Sequence, residues 1–310
     1  MTKNDFGQDG SIKDFFWFLN ERQAIYERRQ AGQAWPWTDD PILRDYYFCN
    51  IFREQDKVTA WIREHLREPI IKRAPKAKMP AIMIFNMALA RFFNWIPTLE
   101  YIGPIGLEYR KRDTGAFSVY AHDWDFLAER LERGLIERQE EGYKIFSDAY
   151  LVAGTDLKGK NKITGIMDRL DALAYIVGDI ATAIRRDNPP RLQYAWKLLQ
   201  EVPGIGPFIA YEIVTDLRHT PVLENAADIM TWANPGPGAV RGLQRIHGMH
   251  LTAASGSLQR MRELLAIAPK YTKLTLEMRD IEHALCEYDR YLRAKLGQGN
   301  VRKYSRKRTN

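Results

Sequence analysis

Four groups of residues in this sequence have the types and spacing to do chemistry. The first is the turn Val202-Pro203-Gly204-Ile205-Gly206-Pro207, set between two apolar-periodic segments. Gly204 and Gly206 permit positive φ and close backbone approach. The helix beginning near Phe208 would aim its unbonded N–H groups at whatever anion lies against the turn, a DNA phosphate being the common one. The second is Asp228, whose plain reading is a helix N-cap. The third is Arg241 and Arg245, one helical turn apart and so on one face, in a helix opened by Pro237 and Gly238. Two guanidiniums beside a helix N-terminus suit a multiply charged phosphate. The fourth is Glu282, His283 and Glu287 near the end of the chain. His283 and Glu287 are four residues apart, where a carboxylate could orient an imidazole.

The hairpin of residues 196–217 resembles the helix-hairpin-helix of DNA base-excision glycosylases. In that superfamily a catalytic aspartate follows the turn by roughly two dozen residues, the place Asp228 occupies here. Bifunctional members carry a nucleophilic lysine directly after the hairpin. Phe208 stands there instead, so the resemblance implies no Schiff-base lyase chemistry.

A narrower resemblance extends over most of the chain, from about residue 14 to 305. The run Glu21-Arg22, Gly32, Pro36-Trp37-Thr38-Asp39, Ile42-Leu43, Asn50, Arg53 and Asp56 is similar to the helical domain of phage thymine-hypermodification proteins. That domain is shared by 5-hydroxymethyl-deoxyuridine DNA kinases and the alpha-glutamyl/putrescinyl-thymine pyrophosphorylases, or amino-acid:DNA transferases. The hairpin with Asp228 and Pro235-Gly-Pro-Gly-Ala239, and the late segment 280–291, carry the rest of it.

The resemblance implies a mainly α, glycosylase-like helical fold and a transferase. An amino acid or a polyamine would displace pyrophosphate from the 5-methylene carbon of a modified thymine in DNA. It implies Asp228 as the base that takes the amine's proton, with His283 and Glu282 behind it. Gly238, Arg241 and Arg245 would hold pyrophosphate, and Asn50 and Arg53 would contact the base or the donor's carboxylate. Gly204, Ile205, Gly206 and Phe208, with Lys158 and Lys160, would contact DNA. The target base must leave the stack, and Trp37, Tyr46, Tyr47 or Trp232 could hold it. No cofactor is required, although magnesium could accompany pyrophosphate, and an upstream DNA kinase is an expected partner. The competing readings are a monofunctional base glycosylase and a non-catalytic DNA-binding module that serves a kinase.

The elements that must position these groups read as helices. Ser11–Gln30 is amphipathic, with Phe15, Phe16 and Leu19 inward and Glu21, Arg22, Arg28 and Arg29 on the other face. A second helix is expected after a cap at Thr38 or Asp39, carrying Ile42, Tyr46, Cys49 and Phe52 as one stripe. Residues 67–80 read as a basic loop, 81–95 as a buried helix, and 97–122 as irregular, with a small strand pair at 117–120. Further helices cover 123–142, 163–185, 191–201, 208–217 and 275–296. Two intimate lobes are expected, roughly 11–150 and 151–296, followed by a basic tail from 297 to 310.

One motif is a decoy. Gly154 to Lys160 matches the start of a P-loop, but Asn161 replaces the magnesium-binding Ser or Thr and no hydrophobic strand and βα series frames it. A nucleotide-binding kinase domain is therefore not expected in these 310 residues.

Composition adds bounds. The net charge of +7 lies largely in the tail, where Arg302, Lys303, Arg306, Lys307 and Arg308 stand without an acid. Bulk charge is thus weak support for a nucleic-acid partner. Two cysteines are too few for a disulfide framework or a zinc cluster. The lack of a signal peptide or a long apolar run leads to the expectation of a soluble protein in the cytoplasm, away from membranes.

Overall fold

A computed structural model describes residues 10–106, 124–147, 161–252 and 256–304. The architecture is helical, and no strand longer than an isolated bridge occurs among the described residues. The expected strand pair at 117–120 falls outside them. No described helix is long and apolar enough to cross a membrane.

The chain divides into two compact units, one of Met1–Asp56 with Ile229–Asn310 and one of Lys57–Asp228. These boundaries replace the expected division near residue 150. The reason is that the first helix packs against the last one, so the N-terminal segment belongs with the C-terminal third. Such a pairing leaves no local signal.

In the first unit, α1 (Ile12–Gln30) begins at a capping box. Ser11 Oγ accepts the Asp14 N–H, and the Asp14 carboxylate accepts the Ser11 N–H. Its Phe15 and Phe18 meet Tyr288 of α13 (Met278–Lys295) edge-on or tilted, at centroid distances of 5.6 Å. The expected apolar stripe of α13, Ile281, Leu285, Tyr288 and Leu292, is buried. Helix α11 (Pro237–His247) lies close on α13 because Gly238 and Gly242 have no side chains. A Cβ at either position would overlap Cys286 Sγ or the Leu285 carbonyl oxygen. Helix α12 (Ser257–Ile267) covers α13 as well.

Two readings in this unit are corrected. Helix α2 spans only Pro41–Asp45, and its cap is Asp40, whose Oδ1 accepts the Leu43 N–H at 2.8 Å. The chain is already extended at Tyr46, so the expected stripe through Cys49 and Phe52 does not form. Pairing with the C-terminal segment pulls it straight: Tyr47 N–H donates to the Arg302 carbonyl and Tyr304 N–H to that of Asp45, both at 2.9 Å. The second correction is Arg22, which is buried in α1 instead of solvated.

The second unit is built around α5 (Met79–Phe93), mostly apolar and buried from Met83 onward, with Asn86 and Arg91 as its buried polar residues. Against it lie α3 and α4 (Lys57–Ile62 and Glu68–Arg73, joined by a wide π-type turn), α6 (Ile96–Ile102), α8 (Lys162–Arg186) and α10 (Pro207–Leu217), while α7 (Trp124–Glu140) packs on α8, and α9 (Leu192–Leu199) on α8 and α10. Residues 67–73 are therefore helical, and only 74–78 connect α4 to α5. Arg91 of α5 pairs with Asp216 of α10 inside this core, Nε to Oδ2 at 2.6 Å. Asn161, the residue that spoils the P-loop pattern, caps α8 by accepting the Ile163 N–H at 3.0 Å.

Candidate functional site

The densest polar constellation of the first unit surrounds the backbone at Cys49 and Asn50. Arg22 reaches from α1 with Nε to the Cys49 carbonyl at 2.9 Å. Its Nη2 donates to the Phe48 carbonyl at 3.1 Å and to Asn50 Oδ1 at 2.8 Å. From α13, Glu287 Oε2 accepts the Cys49 N–H at 2.9 Å, and Arg290 holds both oxygens of that carboxylate at 2.8 and 3.0 Å. Asp56, just after a short 3-10 turn at Arg53–Gln55, accepts the Asn50 N–H at 3.1 Å. This irregular segment lies where local periodicity offers no frame, so the long side chains of α1 and α13 set its path.

His283 completes the cluster. Its Nε2 lies 3.0 Å from the Asn50 carbonyl oxygen. A carbonyl only accepts, so Nε2 carries the proton and Nδ1 presents the lone pair. Burial, then the charges of Arg53, Arg279 and Arg290, hold this imidazole well below its ordinary pKa of 6.5, and the Asn50 contact opposes them only in part. It is a neutral base at physiological pH.

Ligand atoms of Cys49, Asp56 and His283 lie within 4.8 Å of one another, close enough in principle to share a metal ion. The surroundings oppose a cation there, because Arg53, Arg279 and Arg290 all act on this cluster. Burial, with Glu287 and Asp56 nearby, pushes the Cys49 thiol well up, so the sulfur is protonated and a poor ligand. Burial also raises Asp56, against the pull of Arg53 and the Asn50 N–H. The neutral histidine facing guanidiniums suits an anion with an acidic proton nearby better than a metal.

A narrow cleft in the same unit is walled by Trp35, Trp37, Tyr46, Tyr47, Arg22 and Arg29. Arg29 sits over the Trp37 ring at 5.1 Å and Arg302 over that of Tyr47 at 5.6 Å. Aromatic faces beside cationic groups suit a nucleobase and its phosphate. Trp37, Tyr46 and Tyr47 thus gather here, whereas Trp232 is buried.

The expected phosphate-binding arginines converge on a carboxylate of this chain. Arg241 Nε meets Asp289 Oδ2 and Arg245 Nε meets Asp289 Oδ1, both at 2.9 Å, and the Asp289 side chain is fully buried. Arg245 Nη2 also donates to Gln298. Glu282 Oε1 lies 3.2 Å from the Gly236 N–H, placing a carboxylate at the N-terminus of α11. Gly238 serves the contact with Cys286. These residues tie α11 to α13. Glu287, expected to orient His283, instead binds Cys49 and Arg290.

In the second unit the hairpin forms as expected. Gly204 has a φ of 81°, Gly206 is the N-cap of α10, and Trp196 Nε1 donates to the Pro207 carbonyl at 2.9 Å. Ile205 is buried, while Gly204, Gly206, Pro207 and Phe208 face outward. Asp228 accepts the Leu192 N–H at 2.7 Å on Oδ1 and the Gln193 N–H at 3.0 Å on Oδ2. It therefore caps α9, the first helix of the hairpin, whose own N-cap residue Arg191 provides no side-chain bond. Lys158 and Lys160 lie outside the described residues. The site residues of the sequence reading are thus divided: Asn50, Arg53, Glu282 and His283 belong to one unit, Asp228 and the hairpin to the other.

Sequence reasoning missed Arg22, Cys49, Glu287 and Arg290 as one network. Only the close spacing of Asn50, Arg53 and Asp56 hinted at it.

A family model described as "5-hmdU DNA kinase, helical domain" matches residues 10–300. A 5-hmdU DNA kinase of Bacillus phage SP10 is 27% identical over 313 residues, a match that takes in 89% of this chain and 44% of the relative. The chain thus spans less than half the length of that relative. No solved structure matches it significantly.

Proposed function

The chain belongs to the family of 5-hmdU DNA kinase helical domains, and on that premise we propose that it acts in phage thymine hypermodification as a DNA-modifying transferase. The substrate is DNA in which a thymine methyl group has been hydroxylated and pyrophosphorylated. The donor is the amine of an amino acid or a polyamine. The amine nitrogen attacks the 5-methylene carbon, the bond from that carbon to the pyrophosphate oxygen breaks with its electron pair, and the nitrogen's surplus proton goes to a base.

His283 is that base in this reading. The observation that carries the assignment is its Nε2 contact with the Asn50 carbonyl, which leaves Nδ1 able to accept a proton. Asp228, first choice on the family pattern, has both carboxylate oxygens engaged at the start of α9. Arg53, Arg279 and Arg290, whose charges act on His283, supply the positive field for departing pyrophosphate. Any magnesium would arrive with the pyrophosphate. The cleft of Trp35, Trp37, Tyr46 and Tyr47 receives the flipped base.

The test uses DNA carrying 5-pyrophosphoryloxymethyl-uracil, incubated with a mixture of amino acids and polyamines, digested to nucleosides and analysed by mass spectrometry. A nucleoside heavier by one amine, with pyrophosphate released, supports the reading and names the donor. Unchanged nucleosides would sink it, and a missing base would point to glycosylase chemistry.

A second reading rests on the SP10 relative, a kinase of which this chain matches 44%. The helical domain would then bind modified DNA on behalf of a kinase. Binding of the same DNA without any turnover is the result that would favour it.

A further inference from the structure

The first unit carries a second pocket, on the other side of α1 from the aromatic cleft. Asn20, Gln23 and Glu27 line it and fall at the spacing of one helix face, whereas Arg22, Ile25 and Arg29, which line the cleft, fall on the opposite face. The facing wall is the segment 269–274 that follows α12, and the open space between them measures about 500 Å³. Asn20 fixes its shape: Nδ2 donates to the Tyr271 carbonyl at 2.9 Å, and Oδ1 accepts the Thr272 hydroxyl at 2.6 Å. Tyr271 in turn stacks on Phe16, with 5.0 Å between the ring centroids.

Gln23 is only 6% exposed, and its neighbour sets its amide orientation. Nε2 donates to Glu27 Oε1 at 3.1 Å, and a carboxylate only accepts, so the amide oxygen is the atom left over. That Oε1 is buried without a hydrogen-bond partner among the described residues. An acceptor in this state costs free energy and calls for a donor. Glu27 has no ion pair among the described residues, and across the pocket the exposed Lys270 and Lys273 have none either. The helix wall thus suits a cationic N–H donor, and the loop wall suits an anion. An inorganic anion would meet Glu27 and leave Gln23 unpaired, and a polyamine would meet two lysines. A ligand with one ammonium and one carboxylate satisfies both walls.

We infer that this pocket binds a free α-amino acid as its zwitterion. The ammonium sits on Gln23 Oε1 and the Glu27 carboxylate, and the α-carboxylate is held by Lys270 and Lys273. The pocket faces away from the aromatic cleft, so the amino acid held here is not the donor that reacts. The site therefore does not depend on the transferase reading.

The experiment is saturation-transfer NMR of glycine, the bare zwitterion, titrated against the full chain without DNA. Acetate and methylamine, which carry one of the two charges each, are titrated alongside. Glycine should give a saturable signal, and each half-ligand should bind about tenfold more weakly, the scale of a lost charge-assisted hydrogen bond. Glu27→Gln and the double variant Lys270→Ala/Lys273→Ala, all at exposed positions, should each weaken glycine by about the same factor, with folding checked by circular dichroism. Gln23→Leu should do so too if it folds, and the exposed variants decide the matter if it does not. No saturable glycine signal from the wild type overturns the proposal, as does acetate binding as tightly as glycine, which would make this an anion site. Undiminished glycine binding by the exposed variants also overturns it, by placing the ligand elsewhere on the chain. No modified DNA is present, so this result stands apart from that of the transfer assay.

Discussion

His283 and Asn50 are joined by one bond, Nε2 to a backbone carbonyl at 3.0 Å, across 233 residues of sequence. That bond sets the imidazole tautomer and leaves the lone pair on Nδ1. If Nδ1 takes the amine's proton, His283→Gln should lower amine transfer by about a hundredfold or more, the usual scale of a lost general base. Binding of unmodified DNA should not change. Single-turnover mass spectrometry and anisotropy measure the two quantities, and full transfer by the variant would remove His283 from the mechanism.

Stability should depend on pH through the same residue. The folded-state pKa of His283 is depressed, so between 6.5 and that lower value the unfolded chain binds the extra proton. The contribution is complete above pH 6.5 and is lost as pH falls through that window. Thermal melts from pH 7.5 downward should show the wild type losing more stability than His283→Gln. Parallel curves would contradict a depressed pKa.

Arg22 should matter to folding as much as to any ligand. Arg22→Met leaves the carbonyls of Phe48 and Cys49 and the Asn50 side chain without their donor. The expected loss is about 3 kcal/mol, from the cost of buried acceptors left unpaired. Urea denaturation would measure it, and a loss within experimental error would mean that solvent reaches those acceptors.

Asp228→Asn separates the cap from the catalyst. An amide oxygen can still accept one of the two N–H bonds at α9, so a destabilisation of about 1 kcal/mol is expected. Transfer should fall less than tenfold. A fall of several orders of magnitude in a folded variant would restore Asp228 to the chemistry as the base of the transfer.

Gly238→Ala should destabilise by about 1–3 kcal/mol, the range of overpacked cores. Its Cβ meets Cys286 Sγ, so adding Cys286→Ala should recover part of the loss. Strict additivity of the two changes would show that α11 and α13 do not touch at this point.

What the sequence alone determined is local. The capping box at Ser11, the apolar stripe of α13, the largely apolar run of α5 and the Gly204 hairpin all follow from periodicity, capping and φ preference, which act within a few residues. The helical class and the turn were legible for that reason. Residues 38–56 were not, because their conformation answers to partners far away: Arg22 to Asn50 spans 28 positions, Cys49 to Glu287 spans 238, and Tyr47 pairs with Arg302. The roles of the charged residues depend in the same way on tertiary neighbours. Arg241 and Arg245 do share a face, as their spacing requires, but only folding brought Asp289 beneath them. Asp228 was visible as a capping residue, yet which helix it caps was decided when α9 came within 2.7 Å of it. A side chain's type sets the bonds it can make, and packing chooses the partner, because a buried polar group takes whichever acceptor or donor the fold leaves within its reach.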